Sequence, residues 1–179
     1  EDTTPQSQLA AEILAAAEPV QVLVSGLDPR NVPLTWAPEV LDAFTKMEKI
    51  AASGRLLMTS RAAEAGVWEP ERFATPADWL AKQQGTTAGR ARADLETSQR
   101  LGGLDATADA VREGRLSPEQ AGAVADAATV NPRAERDLLA RAQRDSLRRT
   151  RQEAERRKAE VRSEEEQAAR DKKVRDERS

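Results

Sequence analysis

The stretch WLAKQQGTTAGRARADLETSQRL, residues 79–101, decides the fold. It predicts a short helix, a glycine turn and a longer helix that carries arginines. Ala81, Gly85 and Ala91 have the spacing of helix-turn-helix pairs, in which a small residue faces the turn and an apolar residue packs between the helices. Many such pairs bind DNA and many only hold a bundle together, so the spacing alone leaves both interpretations open.

The second helix of this pair has two distinct sides. Its buried side is predicted to hold Ala88, Ala91 and Leu95. At about 100° per residue, the polar and basic side falls opposite, and it consists of Thr86, Arg90, Ala93, Thr97 and Arg100. A recognition helix inserts such side chains into a major groove, where arginine most often contacts guanine. The alternative is the solvated face of an ordinary bundle, since the neighbouring acidic side chains would repel phosphate.

The composition of the chain is that of a helical protein. Alanine and arginine are abundant, whereas the valine, isoleucine and threonine runs that favour strands are nearly absent. Apolar residues make up 39% and charged residues 33% of the 179 positions, so a core is possible but cannot extend through the whole chain. With three Trp, two Phe and no Tyr, the chain is not expected to form a base-stacking platform for single strands.

The sequence contains neither cysteine nor histidine. This excludes thiolate nucleophiles, zinc sites built on Cys or His, and catalytic groups that need imidazole. No acidic cluster in the sequence has the pattern of a magnesium site. We therefore expect no catalytic residue, no metal site and no cofactor in this chain, and a free-standing enzyme is the least favoured function class.

Several features bear on where the protein acts. No segment approaches the roughly 20 apolar residues that span a membrane, and no signal peptide opens the sequence, so we expect no membrane partner. The lack of cysteine fits a reducing cytoplasm. The chain begins with Glu1 instead of Met, which suggests a fragment of a longer protein.

Proline and glycine divide the N-terminal part into helices and a loop. The first helix is predicted to end at Pro19, followed by a loop as far as Pro38 with at most a brief extended piece at Val20–Val24. A long helix then runs to Gly66, and Gly54 inside it costs about 1 kcal/mol relative to Ala. This helix has one apolar stripe at three- and four-residue steps, made of Val40, Leu41, Phe44, Met47, Ala51, Met58 and Ala62.

Capping signals begin the later helices. They are Thr75-Pro76, the threonines after Gly85, Asp105, and a capping box that starts at Ser117. Asn131-Pro132 opens the last helix, which meets no further glycine or proline. Its apolar residues become too sparse after Leu147 for a packed seam.

These signals together predict an all-α bundle of about six helices that contains a helix-turn-helix-like pair and ends in a long charged helix. Residues 1–37 are predicted to form an N-terminal helix and a proline-rich loop, and residues 38–147 the core of the bundle. Residues 148–179 are predicted to protrude as an extended charged helix that leads to a missing C-terminal domain.

Basic residues concentrate near the end of the predicted bundle. Residues 133–158 contain 10 basic and 5 acidic side chains, whereas residues 1–85 contain 7 basic and 12 acidic ones. On one continuous helix, four arginines lie within about 80° of one another, namely Arg141, Arg144, Arg148 and Arg151. With Arg133 they would follow a phosphate backbone. The alternative is a charged face that only keeps the helix soluble.

Three stretches together resemble the actinobacterial family called domain of unknown function 222. They are RAAEAGVW (61–68), ATPADWLAKQQGTTAGRARADLETSQRL (74–101) and LDATADAVREGRLSPEQAGAVADAA (104–128). The most specific part is VREGRLSPEQAGAVADAA (111–128), in which a short helix and a glycine turn precede Leu-Ser-x-x-Gln-Ala at the start of the next helix. The run LLARAQRDSLRRTRQEAERRKAE (138–160) is also similar to the family.

Members of that family typically carry a C-terminal HNH endonuclease domain. The resemblance therefore implies the helical front part of an HNH endonuclease, with a role in DNA contact or in assembly. An HNH site needs histidines for its metal and its general base, and the sequence has none. No catalytic residue can therefore be assigned by resemblance, and the nuclease domain would either lie beyond Ser179 or be absent.

Two function hypotheses follow. In the first, the chain is a non-catalytic DNA-binding or target-positioning module of an HNH endonuclease. Thr86, Arg90 and Arg100 would then face DNA, and the stripe from Arg141 to Arg151 would hold phosphates. In the second, the helices form a protein-interaction or oligomerisation scaffold, in which the terminal helix pairs with a partner such as a second copy.

Overall fold

The computed structural model describes residues 8–176, and this part of the chain is built from helices without any strand. Its eight α-helices are α1 (Gln8–Ser25), α2 (Ala37–Glu64), α3 (Pro76–Gln84), α4 (Ala88–Leu101), α5 (Asp105–Arg112), α6 (Pro118–Val130), α7 (Glu135–Ala142) and α8 (Leu147–Asp176). Short 3-10 helices span Pro29–Asn31 and Pro132–Ala134. The predicted all-α class is confirmed, with more helices than the six expected.

The chain divides into two compact units, Glu1–Ala43 and Phe44–Ser179. In the first unit, the prediction that a helix ends at Pro19 is wrong, because α1 continues through this proline to Ser25. The proposed extended piece at Val20–Val24 is therefore helical. The apolar residues of α1 continue at three- and four-residue steps on both sides of the proline, and no residue of this helix is buried.

Helix α2 is continuous, and Gly54 does not split it. The periodicity predicted for this helix is right, but the buried side is not the apolar stripe. From Phe44 onward the buried residues are Ser53, Leu56 and Thr59, whereas Met47 and Met58 of the stripe are exposed. The side of α2 that packs against the rest of the chain thus consists of small and partly polar side chains, and an apolar side of the helix is exposed.

Hydrogen bonds satisfy the Thr59 and Ser60 hydroxyls on the polar side of α2, whereas the buried Ser53 hydroxyl has no hydrogen-bond partner among the described residues. Thr59 Oγ1 donates to the backbone carbonyl of Arg55 at 2.8 Å, which satisfies the hydroxyl inside its own helix. Ser98 of α4 accepts the backbone N–H of Ser60 at 3.1 Å and donates to the Ser60 hydroxyl at 3.0 Å. These bonds let α2 and α4 approach closely without a large apolar side chain between them.

Helix α6 lies at the centre of the second unit and contacts α4, α5, α7 and α8. It begins at the predicted capping box, in which the Ser117 hydroxyl accepts the N–H of Gln120 and the Gln120 side chain accepts the N–H of Ser117. Its buried residues are almost all small, namely Pro118, Ala121, Val124, Ala125, Ala127 and Ala128. Small side chains around the helix allow four neighbours to pack against it at short interaxial distances.

The last predicted helix is interrupted, which corrects the expectation of one helix from Asn131 onward. Helix α7 ends at Ala142 and α8 begins at Leu147. In an uninterrupted helix, the buried residues Leu138 and Ala142 would lie roughly 120° away from Thr150 and Ala154, so the two pairs would not face the same side. The turn over residues 143–146 re-aims the chain and allows both helices to pack.

The first half of α8 belongs to the bundle, although the sequence predicts that residues 148–179 protrude. Thr150 and Ala154 are buried, with 1% and 3% of their surface exposed. From Arg162 onward, the described side chains of α8 are exposed. The packed region therefore extends to about Val161, because alanine and threonine are sufficient to pack against the small residues of α6.

Candidate nucleic-acid interface

The predicted helix-turn-helix-like pair corresponds to α3 and α4, and local hydrogen bonds define its ends. The Thr75 hydroxyl accepts the N–H of Asp78 at the start of α3, and the Thr87 hydroxyl accepts the N–H of Arg90 at the start of α4. Gly85 has φ 62°, in the left-handed region that favours glycine at a helix C-terminus. The backbone N–H of Thr86 donates to the carbonyl of Ala81 at 3.0 Å and closes the turn.

A small apolar core holds the two helices together. Ala77, Leu80, Ala81 and Ala91 are buried in it, and Trp79, Ala88 and Leu95 pack partly buried against them. The predicted buried side of α4, made of Ala88, Ala91 and Leu95, is thereby confirmed. Packing of this kind occurs both in DNA-binding helix pairs and in ordinary bundles. The opposite side of α4 therefore distinguishes between the two interpretations.

The opposite side of α4 packs against α6, which corrects the expectation that it faces outward. Thr97, predicted to lie on the outer side, is 3% exposed, and its hydroxyl donates to the Ala93 carbonyl at 2.8 Å. A Cβ on Gly122 of α6 would approach Thr97 Oγ1 to 3.0 Å. Because α4 and α6 are this close, a nucleic acid has no room to contact the middle of α4.

Arg90 and Arg100, the two arginines predicted to contact bases, interact with carboxylates of the bundle. Arg90 Nε donates to Asp94 at 3.0 Å, and Arg90 Nη1 donates to Glu119 of α6. Arg100 Nη2 lies 3.7 Å from both Glu96 and Asp126, which is a looser ion pair. The sequence prediction missed the two partners on α6, because they are 29 and 26 residues away in the chain and only the tertiary fold brings them near.

The Arg90–Glu119 contact is strong enough to change ionisation. The guanidinium of Arg90 lowers the pKa of Glu119 from 4.5 to about 2, mainly through the hydrogen bond between them. The same hydrogen bond raises the pKa of Arg90 above its ordinary value. Both groups therefore stay charged at neutral pH, and the side chain of Arg90 is held against α6.

A groove of about 380 Å³ lies between α4, α6 and α8. Five carboxylates and three guanidinium groups line it; the carboxylates are Asp94, Glu96, Glu119, Asp126 and Glu155, and the guanidinium groups are those of Arg90, Arg100 and Arg151. The excess of negative charge opposes the entry of a phosphate. This side of the bundle is therefore a poor position for a DNA backbone.

The four arginines predicted as one stripe are divided between two elements. Arg141 lies on α7 and pairs with Asp137 at 3.3 Å, whereas Arg148 and Arg151 lie on α8. Arg144 lies in the turn between the helices, and its Nε donates to the Ala140 carbonyl at 3.1 Å. A single-helix stripe is therefore wrong, since the helix break separates its members.

The break creates a different cluster, which we call the arginine surface and define as Arg144, Arg148 and Arg149. All three side chains are exposed, and within residues 8–176 none of the three has a carboxylate partner. Arg151 is exposed as well, but it lies about 160° from Arg149 around α8 and lines the acidic groove, so it is not part of this surface. The sequence prediction omitted Arg149, because on one continuous helix it falls outside the stripe. The signal that could have found it is Ser146, whose hydroxyl accepts the N–H of Arg149 at 3.4 Å and caps α8.

Contacts on the inner side of α8 hold the arginine surface in place. Arg157 bridges Asp137 of α7 at 2.5 Å and Glu153 at 3.0 Å. Lys158 pairs with Asp126 of α6 at 2.6 Å. Thr150 and Ala154 face the bundle, so Arg148, which lies more than about 100° from both around α8, points away from it.

A second concavity, of about 520 Å³, adjoins this surface between α7 and α8. It is lined by Arg141, Asp145, Arg149, Gln152, Glu153 and Arg156. Guanidinium groups outnumber carboxylates here, and Glu153 is shared with Arg156 and Arg157. The local charge is therefore opposite in sign to that of the groove between α4, α6 and α8.

The described part of the chain contains neither a cluster of metal ligands nor a membrane-spanning helix. Among residues 8–176 no group of three or more Asp and Glu side chains is arranged to hold a metal ion. Within the same range, every helix is too short or too polar to cross a membrane.

The resemblance to the domain-of-unknown-function family stays a prediction, and so does the HNH domain that it implies. We compared the chain with protein-family models, with curated proteins and with solved structures, and none of these comparisons gives a match.

Proposed function

We propose that this helical chain binds the phosphate backbone of a nucleic acid through the arginine surface. The observation that carries the proposal is that Arg144, Arg148 and Arg149 lie within six residues, are exposed, and lack carboxylate partners in the described range. Every other cluster of arginines discussed above is neutralised at least in part by nearby acids. Unpaired guanidinium groups form short, charge-assisted hydrogen bonds with phosphate oxygens.

The proposal moves the DNA contact away from α4. Arg90 and Arg100 keep their carboxylate partners, and a phosphate near them would meet the acidic lining of the groove. The arginine surface, in contrast, belongs to a stretch with twice as many basic as acidic side chains. A polyanion is therefore attracted to the junction of α7 and α8 before any other part of the molecule.

The expected binding mode is largely independent of sequence. Contacts to phosphate fix the position of a protein on a duplex but carry no base information. In the HNH endonuclease that the resemblance implies, such a module would hold DNA while another domain cuts it. Catalysis by this chain is not part of the proposal, because histidine and cysteine are absent from its sequence.

A titration of a fluorescent DNA duplex tests the proposal through two double variants that remove the same charge. Arg148→Gln with Arg149→Gln removes two of the three arginines of the arginine surface, and we expect affinity at low salt to fall by at least tenfold, because two phosphate contacts are lost. Arg72→Gln with Arg92→Gln removes two exposed arginines elsewhere and should change affinity less than threefold. Undetectable binding of the unmodified chain at low salt, or equal losses in both variants, would contradict the proposal.

A further inference from the structure

Helix α2 carries an exposed apolar stripe that the proposed function does not use. We call Met47, Ala51, Gly54 and Met58 the outer stripe of α2; at 100° per residue they fall within about 60° of one another. Met47 and Met58 are 44% and 53% exposed, and the two small residues between them are exposed as well. Steps of four, three and four residues are the spacing of the seam of a two-helix coiled coil.

Gly54 at the middle of this stripe is not explained by the packing of the chain itself. It lies inside a 28-residue helix, where glycine costs about 1 kcal/mol relative to alanine. A Cβ added to Gly54 would meet nothing within 4 Å, and its φ is not in the left-handed region. A glycine that is costly and locally unnecessary is accounted for if another backbone approaches it closely.

The two edges of the outer stripe indicate what that other backbone is. Glu48 and Arg55 lie seven residues apart on one edge; both are exposed, and neither side chain has an ion-pair partner in the part of the chain that the structure describes. Ile50 and Leu57, also seven residues apart, form the other edge. Ile50 is 61% exposed, although a Cβ on Gly114 would lie 2.9 Å from its Cγ1, and Leu57 is half-buried against the core of the chain itself. One edge is thus charged with both signs, and the other is apolar.

Two copies of such a helix can place the charged edge of one beside the charged edge of the other only if they run antiparallel. In an antiparallel pair, each edge of a helix faces the same edge of its partner, whereas in a parallel pair it faces the opposite edge. Two antiparallel copies of α2 centred between Ala51 and Gly54 therefore bring Glu48 beside Arg55 of the second copy, offset by about 3 Å along the axis. The apolar edges meet each other at the same time.

We propose that the chain forms a two-fold dimer through the outer stripe, with two antiparallel α2 helices that approach most closely near Gly54. The occupant of the stripe is a second copy of this chain, because the charges of its edge complement themselves only in that pairing. The inference is independent of nucleic-acid binding, since no residue of the arginine surface takes part. A seam of four residues is short, so the dimer is expected to dissociate on dilution.

Sedimentation equilibrium of the full chain over a range of concentrations tests the dimer through charge swaps. Glu48→Arg alone, or Arg55→Glu alone, sets like charges against each other twice in a two-fold dimer, and we expect dimerisation to weaken by about tenfold. The double variant Glu48→Arg with Arg55→Glu restores both contacts and should return to within about threefold of the unmodified chain. A chain that is monomeric at every concentration, or single swaps without effect, would overturn the proposal.

A matched pair of glycine variants tests the close approach at Gly54. Gly89, in the first turn of α4, is also exposed and also has nothing within 4 Å of an added Cβ, but it lies away from the outer stripe. We expect Gly54→Gln to weaken the dimer by more than tenfold and Gly89→Gln to leave it unchanged. If Gly54→Gln instead leaves the association state unchanged but lowers the melting temperature, a segment of the same chain occupies the stripe, and the proposal is wrong.

Discussion

At the scale of single residues, Arg90 has a structural role. Its guanidinium joins Asp94 of its own helix to Glu119 of α6, and its side chain is 32% exposed. The exposure predicted from the helical wheel fails because the wheel describes one helix and contains no information about α6. The sequence does predict the starts of helices correctly where a neighbouring hydroxyl caps the helix, as at Thr75, Thr87 and Ser117.

The Glu119 carboxylate should make the stability of the fold depend on acid pH. Its pKa in the folded chain is lowered from 4.5 to about 2, so its contribution is complete above pH 4.5 and is lost as the pH falls toward 2. Because both partners are partly exposed, we expect Glu119→Gln to lower the free energy of unfolding at pH 7 by only about 1–2 kcal/mol. Urea unfolding at pH 7 and at pH 2 measures the difference between the two proteins, which should nearly vanish at pH 2. An equal difference at both pH values would contradict the assignment.

At the scale of helices, the break between α7 and α8 determines which arginines are displayed. Neither glycine nor proline marks it, so the usual punctuation does not predict it. The break arises from tertiary packing, since Leu138 and Ala142 on one side and Thr150 and Ala154 on the other must all face the bundle. Pro19 is the reverse case, in which a residue that usually ends a helix lies inside a continuous one.

Ser146 is the local device that starts α8, and its removal should be measurable. The hydroxyl accepts the N–H of Arg149 at 3.4 Å, a long hydrogen bond. We therefore expect Ser146→Ala to lower the free energy of unfolding by about 0.5–1 kcal/mol, the low end for a helix cap. Ser163→Ala, at an exposed position within α8, is the control and should be neutral or slightly stabilising, because alanine is the better helix former. A neutral Ser146→Ala would show that packing alone begins the helix.

At the scale of the whole molecule, acidic and basic side chains concentrate on different surfaces. The net charge of the chain is −3, yet the groove between α4, α6 and α8 is acidic and the junction of α7 and α8 is basic. The sequence indicates the basic stretch because it is contiguous, over residues 133–158. It does not indicate the acidic groove, whose carboxylates come from three helices and meet only in the folded state.

The salt dependence of DNA binding tests most directly whether the arginine surface, and not α4, contacts the nucleic acid. Three phosphate contacts give a slope of about −3 in log K against log salt concentration, and the loss of Arg148 and Arg149 should reduce it to about −1. Arg100→Gln, which removes a loosely paired arginine of α4, should leave the slope at its original value. A slope that falls with Arg100→Gln and is unchanged by Arg148→Gln with Arg149→Gln would contradict the account.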